Sequence, residues 1–598
     1  MMVGVVVGGP VVGIDIGSKW YKVAMIQGNS FDIVVDEAGD RRRPSMVAFH
    51  DGVRYFGRDA EQLAVRYPDD VFANFGDLLG RNVSVPVPEH VRFGGRLAVD
   101  EGRGAWKVRL DARRGVDDDG EEEEVVPELT VEELAAMVLE EARNIASTQA
   151  GTVVRDCVIV VPNFYTQRQR RALRDAAEVA GLSVLGMMNV GSAAALQYGL
   201  HREKNLLSET QHVMFYDMGY SSTKVSVVEF REGKAKDKPI PVITTVGHGW
   251  DAELGGRDFD LVVAEYFMRD ADEKLRRAGL GSVYDSRRAQ GKIRAQASKV
   301  KEVLSANQEA FMSIQDLVPD YDYSGSITRA EFEELSAPLL ARVVAPAQRA
   351  LLNAELTAED LHFVETIGGG VRVPAVRRNL ARELGREELD RHLNGDEAAA
   401  LGAAFLAATK SPSFKVKTSF RSKDCTGYDV EVDVFEGIHF DQGDSRVTLF
   451  KAGNRLGAKK SLSFKIDEDD DQHEFSFRLS YVDPHSLPPG QETADIAVYR
   501  ILGIPDVEAD GLTSFPKVVL SLQLDASGII TIARAEAEVT YMDVEKRAIT
   551  EEEPDGDGDG DDAVLGVLLK QLARVHSEIH AARHGQGEVF RLSDHICK

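Results

Sequence analysis

The chain has 598 residues, 43% of them hydrophobic and 28% charged, with a formal net charge of -27. Such a length exceeds the roughly 250 to 300 residues at which one core stops growing, so several packed domains are expected, while the negative charge, uncompensated by any basic stripe, excludes nucleic acid and anionic membrane as electrostatic partners. Three cysteines, Cys157, Cys425 and Cys597, stand far apart with no CxxC or Cys/His grouping in the sequence, which argues against a disulfide framework or a structural zinc site.

In chain order, the apolar start Met1 to Ile16 lacks a basic leader and runs into a first core strand, a poor match to a signal peptide. No apolar run approaches the roughly 20 residues that span a bilayer. Val11 to Gln27 (VVGIDIGSKWYKVAMIQ) has the form of a strand ending in Asp, a Gly-containing turn and a returning strand. An acidic run, Asp117 to Glu124, reads as a solvated loop. A helix is expected from Thr130, with Glu133 reaching back to complete a capping box. A buried strand at Cys157 to Val161 and a helix over Thr166 to Ala180 follow, the alternation of an α/β layered region.

Val213 to Phe230 (VMFYDMGYSSTKVSVVEF) repeats the strand, Asp, Gly-turn, strand form. Amides at such a turn make an anion-binding concavity, and an Asp at the strand end can hold magnesium through water, so the pair reads as a clamp on a nucleotide's phosphates. The glycine-rich segments Gly247 to Asp260 and Ile367 to Pro374 have the composition of adenosine contacts. Between them, Asp320 to Glu331 matches the spacing of an EF-hand calcium loop, yet Pro319 stands where an entering helix should end, and a hairpin before a helix is the favoured reading.

After about Ser411 the pattern turns to short alternating runs, Tyr428 to Phe435, Lys459 to Ile466, Glu474 to Val482 and Val518 to Leu524, which predict an all-β region. Acidic runs at Asp467 to Asp471 and Glu551 to Asp562 read as loops or tethers. Leu565 to Ile579 is expected to form one short helix, and no helical lid is evident.

The segments IDIGSKWYKVA, VVPNFYTQRQRRALRDAAEVAGL, SAAALQYGL, FYDMGYSSTKVSVVEF, ELGGRDFD, VKEVLSAN, SITRAEFEEL, IGGGVRVP and NGDEAAALGAAF, in that order, resemble the successive motifs of the heat shock protein 70 superfamily over about Val11 to Ala407. GSKWYKVA, NFGDLLGRNV, FYDMG, VKEVLSANQEAFMSIQDL and EGIHF resemble its large endoplasmic-reticulum branch, the 170 kDa glucose-regulated or hypoxia up-regulated proteins. The resemblance implies an actin-like (ribonuclease H-like, duplicated) α/β ATPase domain over residues 1–408, an all-β substrate-binding sandwich over 409–545, and an acidic loop with a short tail over 546–598. It implies ATP or ADP with magnesium as cofactors. Phosphate and magnesium contacts would fall at Asp15, Gly17, Ser18, Lys19, Asp217, Gly219 and Ser222, with Asp15 and Asp217 holding the metal through water. Adenosine contacts would fall at Gly255, Gly256, Lys301, Ser305, Gly368, Gly369 and Arg372, with Asp396 on the phosphate side. Lys19 and Ser222 are the catalytic candidates.

The sequence departs from the family pattern where hydrolysis would be catalysed. Gly76 stands where active members have a lysine and Val190 where they have a glutamate, while the first turn carries Lys19 in place of a threonine and the second reads Gly-Tyr-Ser-Ser in place of Gly-Gly-Gly-Thr. Neither glycine nor valine relays a proton or holds a metal-bound water. The resemblance thus implies an ATP-binding chaperone with weak hydrolysis, acting as holdase and nucleotide exchange factor, with unfolded polypeptides and a lumenal heat shock protein 70 as partners and the endoplasmic reticulum lumen, or else the cytoplasm, as its place. A fully active folding ATPase, a small-molecule kinase on the same fold and a scaffold that binds no nucleotide are the alternatives.

Overall fold

The computed structural model describes residues 3–5, 9–27, 30–91, 93–111, 113–116, 122–202, 209–235, 238–412, 414–416, 420–435, 438–440, 445–466, 474–491, 493–504, 516–545, 567–576, 580–584 and 587–591. Two mixed sheets organise the chain as far as Lys410. In the first, Val11–Ile16 lies between Asp156–Val161, which runs parallel to it, and Trp20–Gln27, which returns antiparallel. In the second, Gln211–Met218 lies between the parallel Phe363–Ile367 and the antiparallel Thr223–Ala235. The same plan is therefore built twice: a central strand with a parallel neighbour on one side and its own hairpin partner on the other.

Both central strands are covered on both faces, which is why they read as continuous apolar runs: Val11, Val12, Ile14, Val213, Met214, Phe215 and Tyr216 are fully buried. Between the sheets lie the alanine-rich helices Val190–Arg202 and Ala398–Lys410, whose small side chains let the layers approach closely. At Gly13 a Cβ would stand 2.2 Å from the backbone N of Ala404, so only glycine fits under that helix. On the outer side, Val131–Ala150 starts from the Thr130–Glu133 capping box and stops at Gly151 in the left-handed region, φ 66°. Gln167–Val179 starts from an equivalent box of Thr166 and Gln169.

The hairpin reading of the calcium-like stretch holds: Glu309–Val318 and Tyr321–Thr328 pair antiparallel and lead into the helix Arg329–Leu335. Glu331, the residue an EF-hand would use at its last ligand position, caps that helix by accepting from the Thr328 amide at 2.9 Å. Asp322 accepts from the Asp316 amide at 2.8 Å.

Beyond the helix ending at Lys410, two sheets share one apolar core containing Val432, Phe464, Phe477, Leu479, Tyr499, Leu520 and Leu522. The alternating runs become the strands Val430–Val434, Lys459–Ile466, Glu474–Tyr481 and Lys517–Leu524, and in Val430–Val434 and Lys517–Leu524 every second residue is buried, as the period-2 pattern demands. The helix expected over Leu565 to Ile579 is corrected: Val567–His576 is a strand paired antiparallel with the end of Ile530–Glu545, a long-range partnership that outweighs the local period. The acidic runs at Asp467 to Asp471 and Glu551 to Asp562 lie outside the described residues; of Asp117 to Glu124, Glu122–Val125 is described, as a strand.

The β-rich unit is docked on the α/β unit. Its connecting strand Arg421–Lys423 adds parallel to Val242, Ile243 and Thr244 at the free edge of the second sheet. Gln491 Nε2 donates to the Gly80 carbonyl at 2.6 Å, Gln167 Nε2 to the Gly528 carbonyl at 2.6 Å, and the Gln167 amide to the Tyr481 hydroxyl at 2.7 Å. Trp250 packs against the β core and meets Tyr428 edge-on, ring centroids 5.4 Å apart.

Folding also assembles a group that sequence distance conceals. Cys425, in the connecting segment, lies with its Sγ 3.3 Å from His248 Nε2, and the Asp424 carboxylate accepts from the Asn189 amide at 2.9 Å and from Asn189 Nδ2 at 2.8 Å. The sequence shows no Cys/His grouping, yet His248, Asp424 and Cys425 come within metal-ligating distance of one another. With its carboxylate engaged by Asn189, the group is a hydrogen-bonded staple between the connecting segment and the α/β unit. Burial pushes the Cys425 thiol up and the His248 imidazole down in pKa, so both are neutral.

Candidate functional site

Each central strand delivers the Asp next to its last residue to a cleft between the two halves. In the first turn the Gly17 amide donates to the Trp20 carbonyl at 3.1 Å, and in the second the Gly219 amide donates to the Ser222 carbonyl at 2.9 Å. These bonds close the turns and leave their tips facing each other. Ser18 Oγ and Ser221 Oγ meet at 2.6 Å.

Nearly every residue singled out for phosphate, magnesium and adenosine lines this one cleft, of about 430 Å³, together with Gly76 and Val190. Gly255 stands just behind the wall: its absent Cβ would lie 2.3 Å from the Tyr220 carbonyl. The amides of Gly256 and Arg257 donate to the carbonyls of Gly219 and Tyr220 at 2.9 and 2.7 Å, pinning the start of the helix Gly256–Arg277 onto the second turn. Gly368 adopts φ +81°, where a side chain would also strike Asp217 Oδ1 at 2.5 Å, so glycine is required on both counts.

Lys301 and Ser305 lie one turn apart at the end of the helix Arg287–Leu304. Lys301 Nζ pairs with Asp260 Oδ1 at 2.6 Å and reaches the Gly256 carbonyl at 3.1 Å. Across the cleft, Arg372 Nη2 holds Asp396 Oδ2 at 2.8 Å. Lys19 spans the halves, donating to Ser298 Oγ at 2.9 Å with its ammonium 5.0 Å from the Tyr220 ring centroid. Burial lowers its pKa below the ordinary 10.5, although Asp260 opposes the shift. Ser222 is buried with its Oγ 3.5 Å from Lys224 Nζ, so the hydroxyl that touches the opposite turn is that of Ser221.

Sequence reasoning passed over two lysines. Lys22 lies directly across the strand pair from Asp15, with Nζ 2.6 Å from Oδ2. Lys224 lies directly across from Asp217, with Nζ 2.9 Å from Oδ2. The signal was present: in both segments the lysine follows its Asp by seven residues, the spacing at which a tight turn brings two positions opposite one another. The expectation that both carboxylates hold a magnesium ion through water does not fit this arrangement, because each already accepts from an ammonium that neutralises it. Asp77, also unforeseen, takes Arg257 at 2.8 Å and His90 at 3.0 Å. Burial alone would raise its pKa, but the hydrogen bond with His90 and the Arg257 guanidinium hold it below the usual carboxylate value.

The arrangement offers one cleft between two Gly turns, lined by ammonium groups beside those turns and by glycine backbone at Gly256, Gly368 and Gly369, features that suit a polyanionic nucleotide. A model of the Hsp70 protein family matches residues 11–565. The chain is 33% identical over 548 residues to hypoxia up-regulated protein 1 of Xenopus laevis, covering 88% of this chain and 81% of that protein. It is 32% identical over 554 residues to hypoxia up-regulated protein 1 of Homo sapiens, of which it spans 52%. It is 33% identical over 565 residues to heat shock 70 kDa protein 17 of Arabidopsis thaliana, of which it spans 62%.

Proposed function

The chain belongs to the Hsp70 family of chaperones, and on that premise we propose that it is an ATP- and ADP-binding chaperone whose nucleotide lies in the cleft between the Ser18 and Ser221 turns. The Hsp70 family binds ATP and ADP with magnesium, and binds unfolded polypeptides. The observation that carries the reading is the twofold repetition: two strand-Asp-Gly turns from separate sheets meet at 2.6 Å over a single cleft. This duplicated layout agrees with an actin-like ATPase unit over residues 1–408, and the two-sheet unit over 409–545 with a polypeptide-binding sandwich.

Nucleotide acts here chiefly as a structural ligand. Gly76 and Val190 line the cleft where the family's active ATPases carry a lysine and a glutamate, and neither side chain can relay a proton. Slow hydrolysis with firm binding suits a holdase, and an exchange factor for a partner of the same family, in keeping with the likeness to hypoxia up-regulated protein 1. The same likeness supports a place in the endoplasmic reticulum lumen. Calorimetry with ATP and ADP, beside a single-turnover hydrolysis assay, tests the reading. Heat of binding with slow turnover is expected; no heat with either nucleotide overturns it, and turnover at the rate of an active family member replaces it with a cycling ATPase.

A further inference from the structure

The two phosphate turns carry the same unassigned device. Asp15 and Asp217 each stand one residue before the end of a central strand, and each is met from the hairpin partner by a lysine seven residues on, Lys22 at 2.6 Å and Lys224 at 2.9 Å. All four side chains line the cleft and are largely buried, between 10% and 17% exposed. Lys224 Nζ also reaches into its turn, 3.1 Å from where a Cβ on Gly219 would stand and 3.4 Å from the Ser222 carbonyl.

A magnesium ion bound through its waters needs carboxylate oxygens free to accept from those waters and a local negative charge to attract it. Here an ammonium takes one oxygen of each carboxylate and cancels the charge of each. Each ion pair is therefore close to neutral, so the turns present no net negative charge to draw in a divalent cation and none to repel a polyphosphate.

Resting on the reading of the cleft as a nucleotide site, we infer that Lys22 and Lys224 are built-in counter-cations that supply at Asp15 and Asp217 the positive charge magnesium brings elsewhere in the family, so that this chain binds ATP and ADP with little dependence on magnesium. The duplication supports this over two incidental strand pairings, because the same pair recurs at the matching position of the other half and at the end that faces the opposite turn.

The test is the dissociation constant of ADP, and of ATP, for the full chain by calorimetry, in excess magnesium and in excess EDTA. The expected result for the unaltered chain is a change of less than about threefold between the two conditions. A loss of about tenfold or more in EDTA, which is about 1.4 kcal/mol, overturns the inference while leaving the nucleotide reading intact. No binding in either condition overturns both. Lys22→Met together with Lys224→Met frees both carboxylates, and magnesium dependence should then appear as a loss of about tenfold or more in EDTA, while Lys22→Arg with Lys224→Arg should keep the unaltered behaviour. If the double Met variant only melts at a lower temperature, with the same ratio of affinities in magnesium and EDTA as the unaltered chain, the lysines serve the hairpins alone and the inference fails. The comparison on the unaltered chain decides the matter even where a variant does not fold.

Discussion

Ser18 and Ser221, 203 positions apart in the chain, share a hydrogen bond of 2.6 Å between two turns that line the cleft. It is a direct hydrogen bond between the two Gly turns, beside the contact of Lys19 with the Tyr220 ring, so it couples the halves at the point where a nucleotide would bridge them. Replacing either serine by alanine should cost about 1 kcal/mol of stability and weaken ADP binding several-fold. A double-mutant cycle on ADP affinity should show the two substitutions coupled by at least about 0.5 kcal/mol. Strictly additive effects would mean that the hydroxyls act separately.

Hydrolysis should be slow and partly restorable. A Cβ at Gly76 meets nothing within 4 Å, so Gly76→Lys meets no clash at its Cβ. Combined with Val190→Glu it should raise the single-turnover rate by about a hundredfold, the scale of one restored acid-base group. Rates unchanged by the pair would place the missing chemistry elsewhere in the cleft.

Affinity for ATP should fall at alkaline pH, and Lys19 sets where. Burial lowers its pKa from 10.5, so the free cleft loses this charge at a lower pH than an exposed lysine would, and a bound phosphate, favouring the charged form, must take a proton up again. Binding therefore weakens as pH rises through the lowered value. Folding stability runs the other way: between the lowered pKa and 10.5 the unfolded chain binds more protons at this site, so the cost of burying the ammonium fades as pH rises. Lys19→Arg, charged throughout, should flatten the affinity profile measured by calorimetry, and an equally steep profile in that variant would assign the titration to another group.

Cys425 should report docking. It is 4% exposed and lies against His248, so a thiol reagent can reach it only when the connecting segment leaves the sheet. Site-resolved mass spectrometry should show slow labelling in the intact chain. Labelling should accelerate by about fivefold or more in Tyr481→Phe, which removes the hydroxyl that accepts from the Gln167 amide and so forfeits about 1 to 3 kcal/mol at the interface. Equal rates would show that this bond does not hold the units together.

How far the sequence could be read depended on whether its signals were local. The capping boxes at Thr130 and Thr166 and the alternating β runs announced their elements because spacing alone fixes which side chains meet. The two Asp-Gly turns were legible as a pair for the same reason. The Asp15–Lys22 and Asp217–Lys224 pairs have an equally local signature, a lysine seven residues on, but it lies on the returning strand rather than in the Gly turn that marks the motif. What spacing could not give was contact over long distances: Ser221 rather than Ser222 at the opposite turn, Arg257 and His90 on Asp77, and Cys425 on His248 all depend on how separate layers pack. Val567–His576 has an apolar pattern that suits either period, and its partner, the end of Ile530–Glu545, decided for strand.

Arg421–Lys423 occupies the side of Lys238–Asp251 that the second sheet otherwise leaves without a neighbour. An uncovered strand of this kind, carrying the buried Val242 and Ile243, is a template for pairing with any extended chain and hence an aggregation hazard. The connecting segment therefore guards the molecule against self-association. The Hsp70 family binds unfolded polypeptides, which are rich in unpaired backbone, so a member of that family has particular need of such a guard.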